Sequence, residues 1–524
     1  MSKVSKHFWI PGTLVALVVL MIAGCASLPT ASEPDTVVVG MAHRFGGLDP
    51  AGPVSDGSTI VQTQLFARLL TSTLGGTAVR PDLADTARFT SPTSFTVTLR
   101  PGLQFANGDH LTSSDVVFSI HRLLAIKAVG SAASLLGNLA SVSAPDERTV
   151  VFHLLVPNDQ TFARVLSTVA GTVVDEQVFS AHSLTGNDSI IARRAFSGRY
   201  FVDSYAPTLI TFSINTRYRG GAGRAISKIA LKSYADPHGM ELDLHDGVID
   251  VAGSGLTSDE ISTVIADSHL RLVDKPGAQL RALVFDSAAM PFGSAQRDAS
   301  AAKALAVRRA VAELLDRSAL AEAASGDAVE PLFAYVPEGV SSLAPVMKSG
   351  FGNGSGGPDP LQASKILFAA SVKTPVALPL FHGQDPASIH EFEVVKAQLE
   401  SAGLFTVTSG SAARSGTRPL GVSEQIWSTP IADPDPYLRR AIASSGSSNP
   451  AARSQLDAGL AAALRDPDPT GRLAQLDTVE GELSAQALVV PLLQGLQVAA
   501  TGTRIRGVTW DSSSALVFAD LRWS

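Results

Sequence analysis

The chain is 524 residues long, 45% of its residues are apolar, and its formal charge is −7. That is enough chain for more than one compact domain and enough apolar material for large cores. The acidic balance argues against a nucleic-acid partner, which would call for a basic face, and with Cys25 as the single cysteine no intramolecular disulfide can form.

In chain order, Lys3 and Lys6 precede the apolar run Leu14–Ile22 and then Ile22-Ala23-Gly24-Cys25. This is the anatomy of a secretory signal with a lipobox, residues 1–24. The apolar run is shorter than the roughly 20 residues a spanning helix needs. The expectation is cleavage before Cys25 and lipidation of its thiol and new amine, since more than one acyl chain makes an anchor stable. An ordinary signal with a chance cysteine is the alternative. Residues 25–35, small, polar and Pro-containing, read as a tether. Loss of Lys3 and Lys6 would take the charge to −9. No later apolar run is long enough to cross a bilayer, so the expected location is the outer face of the cytoplasmic membrane, lipid-anchored.

Strands and helices then alternate, which predicts α/β layers. Thr36–Gly40, a continuous apolar run, predicts a strand buried on both faces, and the spacing over Thr59–Leu70 predicts a helix. Phe95–Arg100 alternates with period two, Pro101-Gly102 ends it, and Asn107-Gly108 is a turn. Thr112 stands three residues before Asp115, a capping box opening a helix with Val116, Val117, Ile120, Leu123 and Leu124 on one face. Strands are predicted over Thr149–Leu155, Thr208–Ile214, Ile249–Ala252 and Ala278–Phe285, with a short helix near Phe162–Leu166. Helices follow over Ser300–Leu315, Arg317–Ala324 with Asp316 as cap, and from Asp359-Pro360 to Ala370. Pro375–Leu380, Phe405–Thr408 and Ala487–Leu493 read as strands. Ala387–Ala402, Leu456–Leu464 and Arg472–Leu483 read as helices.

Several of these stretches together resemble one family. "LRPGLQFANGDHLTSSDVVFS", "LAVRRAVAELLDRSAL", "PDPLQASKILFAA", "FEVVKAQLESAGLFTV", "WSTPIADPDPYL" and the segment from Leu456 to Leu493 occur in family order. They are similar to the extracellular solute-binding proteins, family 5, of peptide-type ABC importers. The resemblance runs from about Thr36 to the C-terminus. It implies an α/β, two-lobe periplasmic-binding-protein-like fold (type II, large cluster) with an extra α/β subdomain inserted in the first lobe. The implied division is lobe I over 36–60, 196–283 and 499–524, the subdomain over 61–195, and lobe II over 284–498. The function implied is that of a substrate-binding lipoprotein, a monomer that captures peptides or a related small solute between its lobes. It would deliver that solute to a membrane permease and its ATPase. No cofactor and no catalytic residue is implied, and Asp115 is a helix cap in a scaffold.

Departures from the family pattern bear on the ligand. Three residues after Trp427, where the family often carries an aspartate that pairs with a peptide ammonium, stands Pro430. Asp433 lies close by, and a blocked or longer peptide, haem, a metal chelate or another non-peptide solute enters as an alternative ligand. Trp427 is expected to line a side-chain pocket, with Ile426 and Ser428 on a segment that can pair with an extended ligand. Arg44 and Phe45 align with first-lobe cleft residues, and Arg414 or Arg418 can meet a carboxylate bidentately. For each of these, core packing or solvated surface is the competing reading.

Other chemistry lacks its context. Gly352–Gly357 fits G-x-G-x-x-G, but no strand precedes it and Pro358 follows, so a flexible loop is expected. His238 and His245 with Asp236, Asp243 and Asp246 match no zinc spacing and are expected in a solvated loop. A secreted α/β hydrolase, or a ligand-binding sensor for a membrane receptor, are the alternatives to transport.

Overall fold

The computed structural model describes residues 36–73, 75, 78–221, 226–324, 328–411, 421–444 and 450–524. The tether, Cys25, Arg414 and Arg418 therefore lie outside the described residues. An 11-stranded mixed sheet organises the rest. From one edge it runs through Phe405–Ser411, Val376–His382, Val422–Trp427, Leu270–Phe285, Val489–Gly502, Val251–Ser254, Thr36–Met41, Lys228–Ser233 and Leu209–Ile214 to Tyr200–Ala206, with Val329–Pro331 paired to Val489–Gly502. Thr36–Met41 lies between two parallel neighbours, and Val37 and Val39 are buried. A strand covered on both faces needs no polar alternation, which is why it reads as an unbroken apolar run. We call this end of the sheet the first lobe, and the end carrying 376–427 the second.

The lobes are joined by the two longest strands, Leu270–Phe285 and Val489–Gly502, paired antiparallel from Leu270 opposite Gly502 to Val284 opposite Val489. The sequence pattern predicts only their second-lobe halves, because Pro276-Gly277 looks like a stop. In the structure the pairing passes through this step with a register shift between Pro276 and Leu280. A bulge absorbs the missing proline N–H. A side chain at Gly277 would bring a Cβ within 2.6 Å of the Gly495 carbonyl oxygen, so the close crossing requires glycine. Gln494, opposite Leu280, is buried, donates to Glu330 at 2.7 Å and accepts from the Glu338 amide at 2.7 Å.

A separate 4-stranded antiparallel sheet, Ala84–Ser91, Ser94–Leu99, Thr149–Leu154 and Leu139–Asp146, has its own core. Phe162 meets Phe95 and Phe152 edge-on at 5.6 and 5.5 Å. Thr112 caps the helix Ser113–Ile126 as expected: its amide donates to Asp115 Oδ2 at 2.8 Å, and the Glu176 amide donates to Oδ1 at 3.2 Å. Burial pushes the Asp115 carboxyl up to about 6, against those backbone donors.

Three local expectations are corrected. The helix expected over Thr59–Leu70 spans Asp56–Leu65, because Ser55 and Ser58 form a capping box that starts it early. The stretch around His238 is not a loop: Asp236 caps the helix Pro237–His245 with proline in its first turn, the Asp-Pro start signal that also opens Pro360–Ala369. The helix expected over Leu456–Leu464 runs from Pro450 to Arg465.

Candidate functional site

A cleft of about 670 Å³ opens where the two lobes, the crossing strands and the small sheet's helical segments meet. An adjoining hollow of about 230 Å³ shares Asp56, Thr59, Gln497, Ser513 and Ser514 with it. These volumes fall in or near the range of about 300–1,000 Å³ found for small-molecule sites.

Each wall has a local cause. On the first lobe, the capped start of helix Asp56–Leu65 presents Asp56 and Thr59. The loop before it packs so tightly that a Cβ on Gly57 would stand 1.9 Å from the Arg44 carbonyl oxygen. Ser512–Ser514 form a loop folded by Asp511, whose Oδ1 accepts from the Ser513 and Ala515 amides at 2.9 and 3.0 Å. Its Oδ2 pairs with Arg68 at 2.8 Å, both side chains buried. The crossing strands supply Ala278, Gln279 and Gln497 beside the bulge. The small sheet's unit supplies Ser131, Ser134, Thr168 and Val169, and the second lobe supplies Ser428, Thr429 and Pro430. Tyr437 reinforces this floor by donating its hydroxyl to the Ala278 carbonyl.

The expected site residues separate on the structure. Ser428 lines the cleft, as does Pro430, so the place where the resemblance would put an acid is an uncharged wall. Trp427 is 0% exposed. Its indole N–H donates to Gln425 Oε1 at 3.0 Å and its ring lies 4.8 Å from the Arg440 guanidinium, so it stands within the wall behind Ser428. Ile426 is 50% exposed and paired with Arg281 of the crossing strand. Of the strand Val422–Trp427 only Val422 and Ser423 pair with the neighbouring strand Val376–His382, which leaves 424–427 with one strand partner among the described residues.

Asp433 is 0% exposed and is held by Arg472 at 2.7 Å and Arg164 at 3.2 Å. Its Oδ1 also caps the Asp435 amide at 2.9 Å. Arg164 comes from the small sheet's unit, so this carboxylate ties that unit to the second lobe. Beside it the Gln160 amide donates to the Leu464 carbonyl at 2.9 Å and Ile431 packs on the small core. Phe45 packs against Tyr205 with centroids 6.4 Å apart and Arg44 is exposed; neither lines the cleft or the adjoining hollow.

Residues that sequence reasoning passed over are Asp56, Gln279, Gln497 and Ser512–Ser514. Ser55 followed by Asp56 and Ser58 was legible as a helix start, and "DSSS" as a turn, but neither pattern points at a ligand. A further cavity of about 420 Å³ lies between the first lobe and the small sheet. Within its lining Arg68 pairs with Asp511, Tyr218 donates to Asp82, and Arg100 donates to the Asp82 carbonyl. Among the described residues no group of three or more His, Cys, Asp or Glu is placed to hold a metal ion, and no helix is long and apolar enough to cross a membrane.

Two lobes sharing one sheet, a pair of long crossing strands and a cleft between several structural units define a ligand-binding class of protein. The chain belongs to the bacterial extracellular solute-binding proteins, family 5, whose profile (family 5 Middle) matches residues 78–449, more than half of its length. It is similar to the curated protein named "Probable D,D-dipeptide-binding periplasmic protein DdpA" of Escherichia coli (strain K12), 25% identical over 289 residues, 53% of this chain and 55% of that one. The match thus spans about half the length of that relative. In fold it is similar to the periplasmic murein tripeptide-binding protein MppA in its unliganded open form, with a TM-score of 0.77 at 17% identity over 94% of this chain and 98% of that one. It is also similar to HbpA2 from Haemophilus parasuis, with a TM-score of 0.76 at 16% identity over 93% and 100%. The two-lobe α/β periplasmic-binding fold expected from the resemblance is the fold found.

Proposed function

We propose that this protein is the substrate-binding component of an ABC import system, capturing a peptide or related small solute in the cleft and delivering it unaltered to a membrane permease with its ATPase. The observation that carries this reading is the cleft itself, whose walls come from both lobes and the small sheet's unit and meet at the crossing strands. A ligand touching all of them stabilises the closed arrangement, and it shifts the equilibrium by its differential affinity for closed over open. The bulge at Pro276–Leu280 against Gly495 is the place for the hinge, because small residues there absorb a change of backbone angle. Closure excludes water and strengthens each polar contact to the guest. The similar proteins are named for binding a D,D-dipeptide and a murein tripeptide, and we extend the peptide class to this chain.

We further infer a monomer on the outer face of the cytoplasmic membrane, anchored through Cys25, with the lobe boundaries given above. Ser428 and Ile426 belong to the ligand-facing segment, and Trp427 and Asp433 set its position. The test is small-angle scattering with and without a peptide mixture, followed by mass spectrometry of the recovered ligand. Compaction with the peptide intact is expected. Identical scattering curves, or a cleaved peptide, overturn the proposal.

A further inference from the structure

The cleft's charge pattern says more about its guest. Among the described residues that line the cleft and the adjoining hollow there is no lysine or arginine. There is one carboxylate, Asp56, and one imidazole, His43. Asp56 lies at the junction of the two spaces, exposed, in the first turn of its helix. The remaining polar lining is neutral: serine and threonine hydroxyls with the amides of Gln279 and Gln497.

Three of those hydroxyl oxygens are buried without a hydrogen-bond partner, Ser254 on the adjoining hollow and Ser131 and Ser512 on the cleft. Ser512 is 3% exposed and Ser131 is 9% exposed; both line the cleft, and neither Oγ has a partner in the protein. A buried hydroxyl left unsatisfied destabilises the empty protein, and a guest that satisfies it recovers that cost. The two on the cleft come from opposite sides, Ser131 from the small sheet's unit and Ser512 from the C-terminal loop held by Asp511.

A carboxylate buried on closure needs a counter-charge or several donors. Among the described residues this lining supplies neutral donors but no lysine or arginine, and the helix start that would otherwise favour an anion already carries the like charge of Asp56. An amine finds the opposite: a lone carboxylate in a cleft that loses water on closing, where a charge-assisted hydrogen bond is at its strongest.

We propose that the cleft selects a peptide-like solute with a free amine and no free carboxylate, its ammonium seated on Asp56 and its amide or hydroxyl groups on Ser131 and Ser512. This rests on the reading of the cleft as a peptide-class site. It moves the charged anchor from the second lobe, where Pro430 stands, to the first.

The test uses the full chain and one tetrapeptide library in four forms: free at both ends, C-terminally amidated, N-acetylated, and blocked at both ends. Binding is read by calorimetry and native mass spectrometry. The amidated form with a free amine is expected to bind most tightly, and the N-acetylated form with a free carboxylate most weakly. Asp56→Asn is expected to cost the amidated form about tenfold or more and to leave the doubly blocked form unchanged, with an unaltered melting temperature. The double substitution Ser131→Ala, Ser512→Ala is expected to weaken all four forms by a similar factor. Preference for the free-carboxylate forms, or an Asp56→Asn variant that binds the amidated form as well as the parent, overturns this inference while leaving the peptide-class reading intact. Absence of binding by all four forms overturns both.

Discussion

Two buried ionic clusters solve opposite problems in this molecule. Around Asp433 one carboxylate serves two guanidiniums, Arg472 at 2.7 Å and Arg164 at 3.2 Å. In the second lobe two carboxyls, Glu391 and Glu424, face one guanidinium, Arg281, which donates to Glu391 at 2.9 Å. In the first cluster the one carboxylate links the small sheet's unit to the second lobe through both guanidiniums. In the second, burial above all, and then the neighbouring Glu391, push the Glu424 carboxyl well above the ordinary carboxylate range. Arg281 pulls the other way, and Asp385 adds to the upward push. Such a pair titrates as a unit holding one shared proton. The cluster with an excess of cations thus joins two units, and the cluster with an excess of acids holds a proton that makes it respond to pH.

The largest effect is expected from Asp433→Ala, which leaves two guanidiniums buried without their anion and costs about 3–5 kcal/mol by chemical denaturation. Adding Arg472→Met to Asp433→Ala is expected to recover part of that loss; simple additivity of the two substitutions would show that the cluster is not one unit. Next, Arg281→Met removes the guanidinium that donates to Glu391 beside Glu424 and is expected to cost about 2–3 kcal/mol by chemical denaturation.

The wild-type pH dependence follows from the sign of the shift. Below the ordinary glutamate value of 4.5, Glu424 is protonated folded and unfolded, and its own contribution to stability is at its fullest. As pH rises above that value the unfolded chain releases a proton the folded chain retains, so stability falls until the raised folded value is reached. Glu480 acts with the same sign, its carboxyl pushed up to about 8 by burial against the backbone donors of Tyr335 and Val336. Glu424→Gln is therefore expected to flatten the slope between pH 5 and 8 and to stabilise the protein at pH 8 by at least about 1 kcal/mol. An unchanged slope would place the pH response elsewhere. The smallest effect is expected from Asp435→Asn beside the first cluster: its i,i+4 partner Arg439 is half exposed, and the loss should stay near about 0.5 kcal/mol.

Much of the scaffold was legible locally. The capping box Thr112–Asp115, the caps Asp316 and Asp359-Pro360, and the buried strand at Thr36 all depend on neighbours within four residues or on a simple period, and the structure has them. The order of segments carried the family, because each matched piece folds from its own pattern. Of the candidate ligand residues named from the sequence, Ser428 lies on the cleft among the described residues, on the loop after Trp427.

The sequence by itself determined the α/β alternation, the capped helices and the apolar strands, since propensity, capping and periodicity act over a few residues. Tertiary structure alone decided that the crossing strands run through Pro276-Gly277, because a distant strand supplies the partner that makes a bulge worthwhile. It decided that Asp433 answers to Arg164 and Arg472. It also brought Asp56, Ser131, Gln279, Ser428 and Ser512 to one cleft. Burial and charge pairing are properties of residues that meet in space, and no local pattern encodes where far-separated segments will meet.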